Sequence, residues 1–164
     1  MKKQDYYNDF HNYVYLLGES IPRNMQEEAI SFLLKCPENY VEFIIDTFNP
    51  YTWKNAVEII KKIGYPKNRT AIKNIMYLLQ DINWEFSKTA IDIITEIYYH
   101  EPDLVIDALE KTATIADKYD DKEWLFGLSY FKEILSINKT DFKNQNTVSI
   151  LFKGDYWDNF DEIT

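Results

Sequence analysis

Nucleophilic, acid–base or metal chemistry in this chain would have to begin at its two histidines, His11 and His100, or its one cysteine, Cys36. A histidine dyad or a zinc site needs companion ligands at helix or turn spacing, and neither histidine has them. His100 stands before Glu101-Pro102 and reads as a helix-end residue, while Cys36 lies on an apolar face before Pro37 and reads as core. Carboxylates recur throughout an acidic chain, so no pair of them marks an acid–base site. No glycine-rich phosphate loop is present. The expectation is therefore no catalytic residue, no metal and no cofactor.

Charge is distributed unevenly. Lys61, Lys62, Lys67, Arg69 and Lys73 fall between Ile59 and Gln80 without a single acid among them. Such an island could hold an anion, although Lys61 and Lys62 near a helix end also suit the negative pole of the helix dipole. The opposite case is the carboxyl-terminal stretch Gly154-Asp155-Tyr156-Trp157-Asp158-Asn159-Phe160-Asp161-Glu162, with four acids, three aromatics and no base. It reads either as a cap that packs Trp157 and Phe160 onto the last helix pair, or as a mimic of an acidic ligand that meets a partner through Asp155, Trp157, Asp158, Phe160 and Asp161.

Two further positions combine acid with aromatic. Asp81 precedes Trp84 by three residues, as Asp121 precedes Trp124, and Pro50 stands in the same relation to Trp53. Aspartate and proline both start helices, the first by accepting free amides and the second by lacking one. The structural expectation is that these residues open helices and that the tryptophans fill the seams between them. The functional one is that Asp81, Trp84, Asp121 and Trp124 lie along one rim and meet a partner there. Both hold together if the corners are half-buried.

The elements that must position these residues are helical. Four glycines and five prolines in 164 residues are too few for a β protein that turns every ten residues, and 46% hydrophobic content supplies a core. Tyr6, Tyr7, Phe10, Tyr13, Val14 and Leu17 share one face of a first helix that Gly18 would close with a left-handed cap. A second helix starts at Pro22, or at Asn24 if Glu27 completes a capping box, and a third runs through Tyr40, Val41, Ile44, Ile45 and Phe48. Trp53, Ala56, Val57, Ile60 and Ile63 form a fourth that ends at Gly64 and Pro66. Residues 70–79 carry an apolar arc too wide for one neighbour, so this helix is expected to be central.

Ala90 to Tyr98, Val105 to Ala116 and Trp124 to Leu135 give three more helices, the last opened by a capping box in Asp120-Asp121-Lys122-Glu123. From Asn138 to Asn146 the periodicity is lost, and Val148 to Phe152 is too short to assign. The reading is a helical-repeat domain over 1–140, followed by an acidic aromatic segment over 141–164.

A repeat runs through this array. Ala56-Val57-Glu58-Ile59-Ile60-Lys61-Lys62-Ile63 matches Ala90-Ile91-Asp92-Ile93-Ile94-Thr95-Glu96-Ile97 position by position, 34 residues later. Such units stack into a short right-handed array of antiparallel helix pairs, an α-solenoid of about eight helices, with Trp53, Trp84 and Trp124 buried at its corners. Gly64-Tyr65-Pro66, Leu78-Leu79, Gln80-Asp81-Ile82-Asn83-Trp84 and Asp121-Lys122-Glu123-Trp124 together resemble an uncharacterised bacterial family of small HEAT-like domains. The resemblance covers about Trp53 to Leu135 and departs at Glu85, where the family pattern tends to have proline. It implies a HEAT-like fold and the role of an immunity protein in a bacterial toxin system.

Net charge −9 disfavours nucleic acid, which is usually bound through a basic face. No apolar run is long enough for a signal peptide or a membrane span, and a lone cysteine needs no oxidising compartment, so a cytoplasmic setting is expected. The functional expectation is a non-enzymatic module that sequesters a basic toxin or effector domain. The alternative is a small enzyme or nucleotide-binding protein that uses the Lys61 to Lys73 island.

Overall fold

The computed structural model describes residues 3–153. Every regular element among them is helical, eight α-helices and five 3-10 segments. The chain divides into two compact units, Met1–Ile75 and Met76–Thr164.

The first unit holds α1 (Lys3–Tyr15), α2 (Arg23–Leu33), 3-10 segments Glu38–Ile44 and Pro50–Thr52, α3 (Trp53–Ile63), a 3-10 segment Lys67–Ala71 and the single turn α4 (Ile72–Ile75). Phe10, Val14 and Leu17 of the first helical stretch are buried with Ala29, Leu33, Val57 and Ile60, the apolar stripes that periodicity assigns. Each of the larger of these side chains contributes roughly 1.5–3 kcal/mol on leaving water. Gly18 does not supply a left-handed cap, because α1 has already ended at Tyr15. Side chains do the closing instead: Gln26 Nε2 donates to Gly18 O and Ile21 O, both at 2.9 Å, and Asn55 Nδ2 donates to Leu17 O at 2.8 Å. Pro22 opens α2 with no side-chain cap, so the Asn24–Glu27 capping box does not form.

The expected third helix is the 3-10 run Glu38–Ile44, packed on Lys67–Ala71, and Asn74 Nδ2 donates to Glu42 O at 2.6 Å. Gly64 ends α3 at φ 70°, ψ 169°, a region that only glycine occupies without strain.

The second unit begins with a 3-10 segment, Met76–Leu79, and continues through α5 (Glu85–His100), α6 (Pro102–Lys118), α7 (Lys122–Ile134), a 3-10 segment Lys139–Asp141 and α8 (Gln145–Leu151). The expected helix over 70–79 is therefore three short pieces of two kinds. In this unit α6 packs on α5, α7 and α8, and α7 also lies on Met76–Leu79. Helices α6 and α7 both end on a left-handed residue that is not glycine, Asp120 and Ser136, each at φ 52°. The following amides reach back five residues, Asp121 N to Ala116 O at 2.9 Å and Ile137 N to Lys132 O at 3.1 Å, which satisfies carbonyls the helices leave free.

The stretch 138–144 contains the chain's one capping box among the described residues, Asn138 with Asp141. Glu110 Oε1 of α6 accepts the amides of Lys143 at 2.7 Å and Asn144 at 2.8 Å, fixing the start of α8. Beneath α8, the buried ammonium of Lys132 contacts the Glu133 carboxylate and lies 3.7 Å from the centre of the Phe152 ring.

Candidate functional site

The two aspartate–tryptophan corners have the same spacing and different geometry. At the second, Asp121 is the residue just outside α7 and its Oδ1 accepts the amide of Trp124 at 2.9 Å. Trp124 therefore lies inside the helix, turned into the core at 3% exposure, with Nε1 donating to Met76 O at 3.0 Å and its ring 4.7 Å from that of Tyr77. A tryptophan in the third helical position leaves no glutamate there, so the expected capping box is a single cap. Here the tryptophan is core, and the aspartate that caps the helix stays partly exposed.

At the first corner the helix starts later. Asp81 Oδ1 accepts the amide of Asn83, two residues on, at 2.8 Å, a local turn rather than a helix cap. The α5 helix begins only at Glu85, with Trp84 itself in the flanking position at φ −65°, ψ 136°. The Trp84 side chain is consequently 36% exposed instead of buried as the repeat implied, and its ring lies 5.0 Å from that of Phe86. Asp81 is partly exposed, and Glu85 adds a second acid in the first turn of α5.

The backbone that carries these residues is held from two sides. Ser87 Oγ sits 2.8 Å from both Leu78 O and Asp81 O, sharing its one proton between two carbonyls. From the other side Gly127 of α7 approaches so closely that a side-chain carbon placed on it would lie 2.0 Å from Leu79 O and 3.1 Å from Ile82 Cγ2. The acidic corner therefore stands on closely packed backbone, with Trp84 partly exposed and Phe86 half-buried beside it.

Trp53 is buried at 2% exposure in the first unit and donates through Nε1 to Asp46 O at 2.7 Å. Lys61 and Lys62 occupy the last turn of α3, Lys67 and Arg69 the 3-10 segment that follows, and Lys73 the single turn α4. Arg69 Nε lies 4.0 Å from Glu38 Oε1, so an acid distant in sequence partly answers the island. Asp155, Trp157, Asp158, Phe160 and Asp161 lie outside the described residues.

Cys36 is buried and its thiol is pushed up to about 11 by removal from water, against a smaller pull from Lys67. It behaves as core. His11 packs its ring 4.3 Å from Tyr7 and 5.8 Å from Phe10, and His100 ends α5. Among the described residues no three histidine, cysteine or acidic side chains come together as metal ligands, and no helix is long and apolar enough to cross a membrane.

Sequence reasoning missed three contributors to the corner: Phe86, Ser87 and Gly127. A glycine in the middle of the apolar run Trp124 to Phe131 was the available signal for the third, since it marks a place where another backbone comes close. No family model, curated protein or solved structure matches this chain.

Proposed function

We propose that the protein is a non-enzymatic binding module that holds a basic protein partner, and that the Asp81–Trp84–Phe86 corner is its principal contact. The observation that carries this reading is the exposure of Trp84 beside Phe86 on backbone fixed by Ser87 and Gly127. A large, partly exposed aromatic on fixed backbone loses little conformational freedom on binding, and the acids around it favour a cationic approach. Net charge −9 supports steering of the same sign. The biological role we propose is that of an immunity or inhibitor protein for a toxin or effector domain. Its architectural part is a short HEAT-like stack of helix pairs, supported by the 34-residue recurrence from Ala56 to Ala90.

The test compares the immobilised chain with its Trp84→Ser twin in lysate of the native host. The expected result is one basic protein retained in one-to-one ratio, about tenfold less of it on the twin, and a twin that stays folded with a melting temperature lower by only about 2–4 °C. Co-production with the chain should relieve the toxicity of that protein. Equal retention by the twin, or a retained protein without toxicity, overturns the corresponding part of the proposal.

A further inference from the structure

One flank of α7 carries an apolar stripe. Phe126, Tyr130 and Ile134 stand four residues apart, a helical turn each, so they share a face about 12 Å long. The Phe126 and Tyr130 rings lie 6.5 Å apart at 19° between planes, and Tyr130 is 37% exposed and Ile134 46%. The rest of the helix is committed to the interior: Trp124, Leu128 and Phe131 are buried, Gly127 meets the Leu79–Ile82 turn, and Ser129 and Lys132 face α8. Charges beside the stripe balance, since Lys122 and Glu123 precede it together and Glu133 contacts Lys132. Its chemistry is therefore that of an aromatic and aliphatic surface.

We propose that the occupant of this stripe is the chain's own segment 154–164, which lays Trp157 and Phe160 on Tyr130 and Ile134 and leaves Asp155, Asp158 and Asp161 toward water. Where that segment begins argues for it. Ser129 Oγ donates to Leu151 O at 3.3 Å and the Lys132 ammonium lies against the Phe152 ring, so α8 ends on α7 itself, one residue from Tyr130. Trp157 follows Leu151 by six residues, a reach of at most about 20 Å, which covers the whole stripe. Composition agrees, because the segment holds three aromatics, with Trp157 and Phe160 spaced to share one side of a turn. A short tether also holds a segment at an effective concentration of order millimolar, which favours it over a free chain making equal contacts. A second copy would bring a further net charge of −9 against the first. The inference rests on neither the Trp84 corner nor a basic partner.

Nuclear Overhauser contacts in the full chain test it. Expected are contacts from the Trp157 or Phe160 ring protons to the Ile134 methyls and the Tyr130 ring, unchanged in intensity per chain on dilution. Ile134→Asp, at a position the core does not use, should abolish them and move the Trp157 signals toward their values in urea. Tyr119→Ser, at a site 71% exposed elsewhere in the unit, should leave them in place. Trp157→Ser reads the same contact from the other end, shifting the Tyr130 and Ile134 signals while those of Leu128 and Phe131 hold. Absence of the contacts, or their persistence in Ile134→Asp, overturns the proposal. Contacts between labelled and unlabelled chains in a mixture give the stripe to a second copy and overturn it equally.

Discussion

Gly127→Ala is a small change with a large expected effect. The added carbon would stand 2.0 Å from Leu79 O and 3.1 Å from Leu79 C, both backbone atoms that no rotamer change can move aside. Ordinary contact requires opening that gap by about 1.4 Å, either by shifting α7 or by displacing the Leu79–Ile82 turn. Overpacking of this kind costs about 1–3 kcal/mol, with backbone clashes at the upper end, whereas replacing a helical glycine by alanine returns about 1 kcal/mol of propensity. The net loss is about 2 kcal/mol, or a melting temperature lower by roughly 4–8 °C for a chain of this length.

Gly18→Ala is the control, since its new carbon meets nothing nearer than Tyr15 O at 3.5 Å and Ile21 Cγ1 at 3.6 Å. It should stay within about 0.5 kcal/mol of the parent. Thermal and urea unfolding followed by circular dichroism measure both. If Gly127→Ala matches or exceeds the parent in stability, the close approach of α7 to the corner is not there and the account of its rigidity fails.

The two corner tryptophans should part company in urea unfolding: Trp124→Ala loses about 3–5 kcal/mol, as a buried aromatic does, and Trp84→Ala only about 1 kcal/mol. The Cys36 thiol, held at about 11 against an ordinary 9.0, offers about a hundredfold less thiolate near neutrality than an unfolded thiol. An aromatic disulfide reagent should therefore react slowly with the folded chain and rapidly in denaturant. Lys143 Nζ bonds Asp107 Oδ1 at 3.0 Å, and its hydrogen bond and charge hold that carboxyl below the ordinary range while Asp107 raises the lysine. The carboxylate's contribution is present above its unfolded titration and lost as pH falls through the lowered value; the lysine's is lost only as pH rises through the raised one. The melting-temperature difference between the parent and Lys143→Met should thus be flat through neutrality, close toward acid and toward strong alkali, and shrink with salt.

Helices α3, α5, α6 and α7 were legible because each carries an apolar stripe at spacings of three and four over at least eleven residues, with recognisable ends such as Pro50, Gly64 and Pro102. Residues 70–79 were not. Ile72, Ile75, Met76, Leu78 and Leu79 satisfy a period of 3.0 as well as 3.6 over so short a run, and close packing of the Glu38–Ile44 and Lys67–Ala71 segments is invisible in local sequence. The ends of α6 and α7 were legible to within two residues, but their left-handed caps were not, because Asp120 and Ser136 take a conformation usually supplied by glycine.

The candidate site was half legible for a similar reason. Aspartate followed three residues later by tryptophan is the same word at both corners, but its meaning depends on where the helix starts. With Asp121 just outside α7 the tryptophan is inside; with α5 beginning four residues after Asp81, Trp84 is left at the threshold and faces water. That choice follows from Ser87 and Gly127, one on the next turn and the other over forty residues away.

The bond from Trp124 Nε1 to Met76 O also sets an order of events during synthesis. It closes a span of 48 residues, so a nascent chain that stops anywhere before Trp124 carries the Met76–Leu79 segment without the α7 helix that packs on it in the finished unit. Contacts of such separation form late, because the loop entropy must be overcome before they reward it. The first unit is placed differently: the hydrogen bond from Asn74 to Glu42 and that from Asn55 to Leu17 span 32 and 38 residues and lie wholly upstream. Residues 1–75 can therefore settle while the ribosome is still making α5 and α6, and the apolar segment that starts at Met76 is the part of this chain most in need of shelter until α7 emerges.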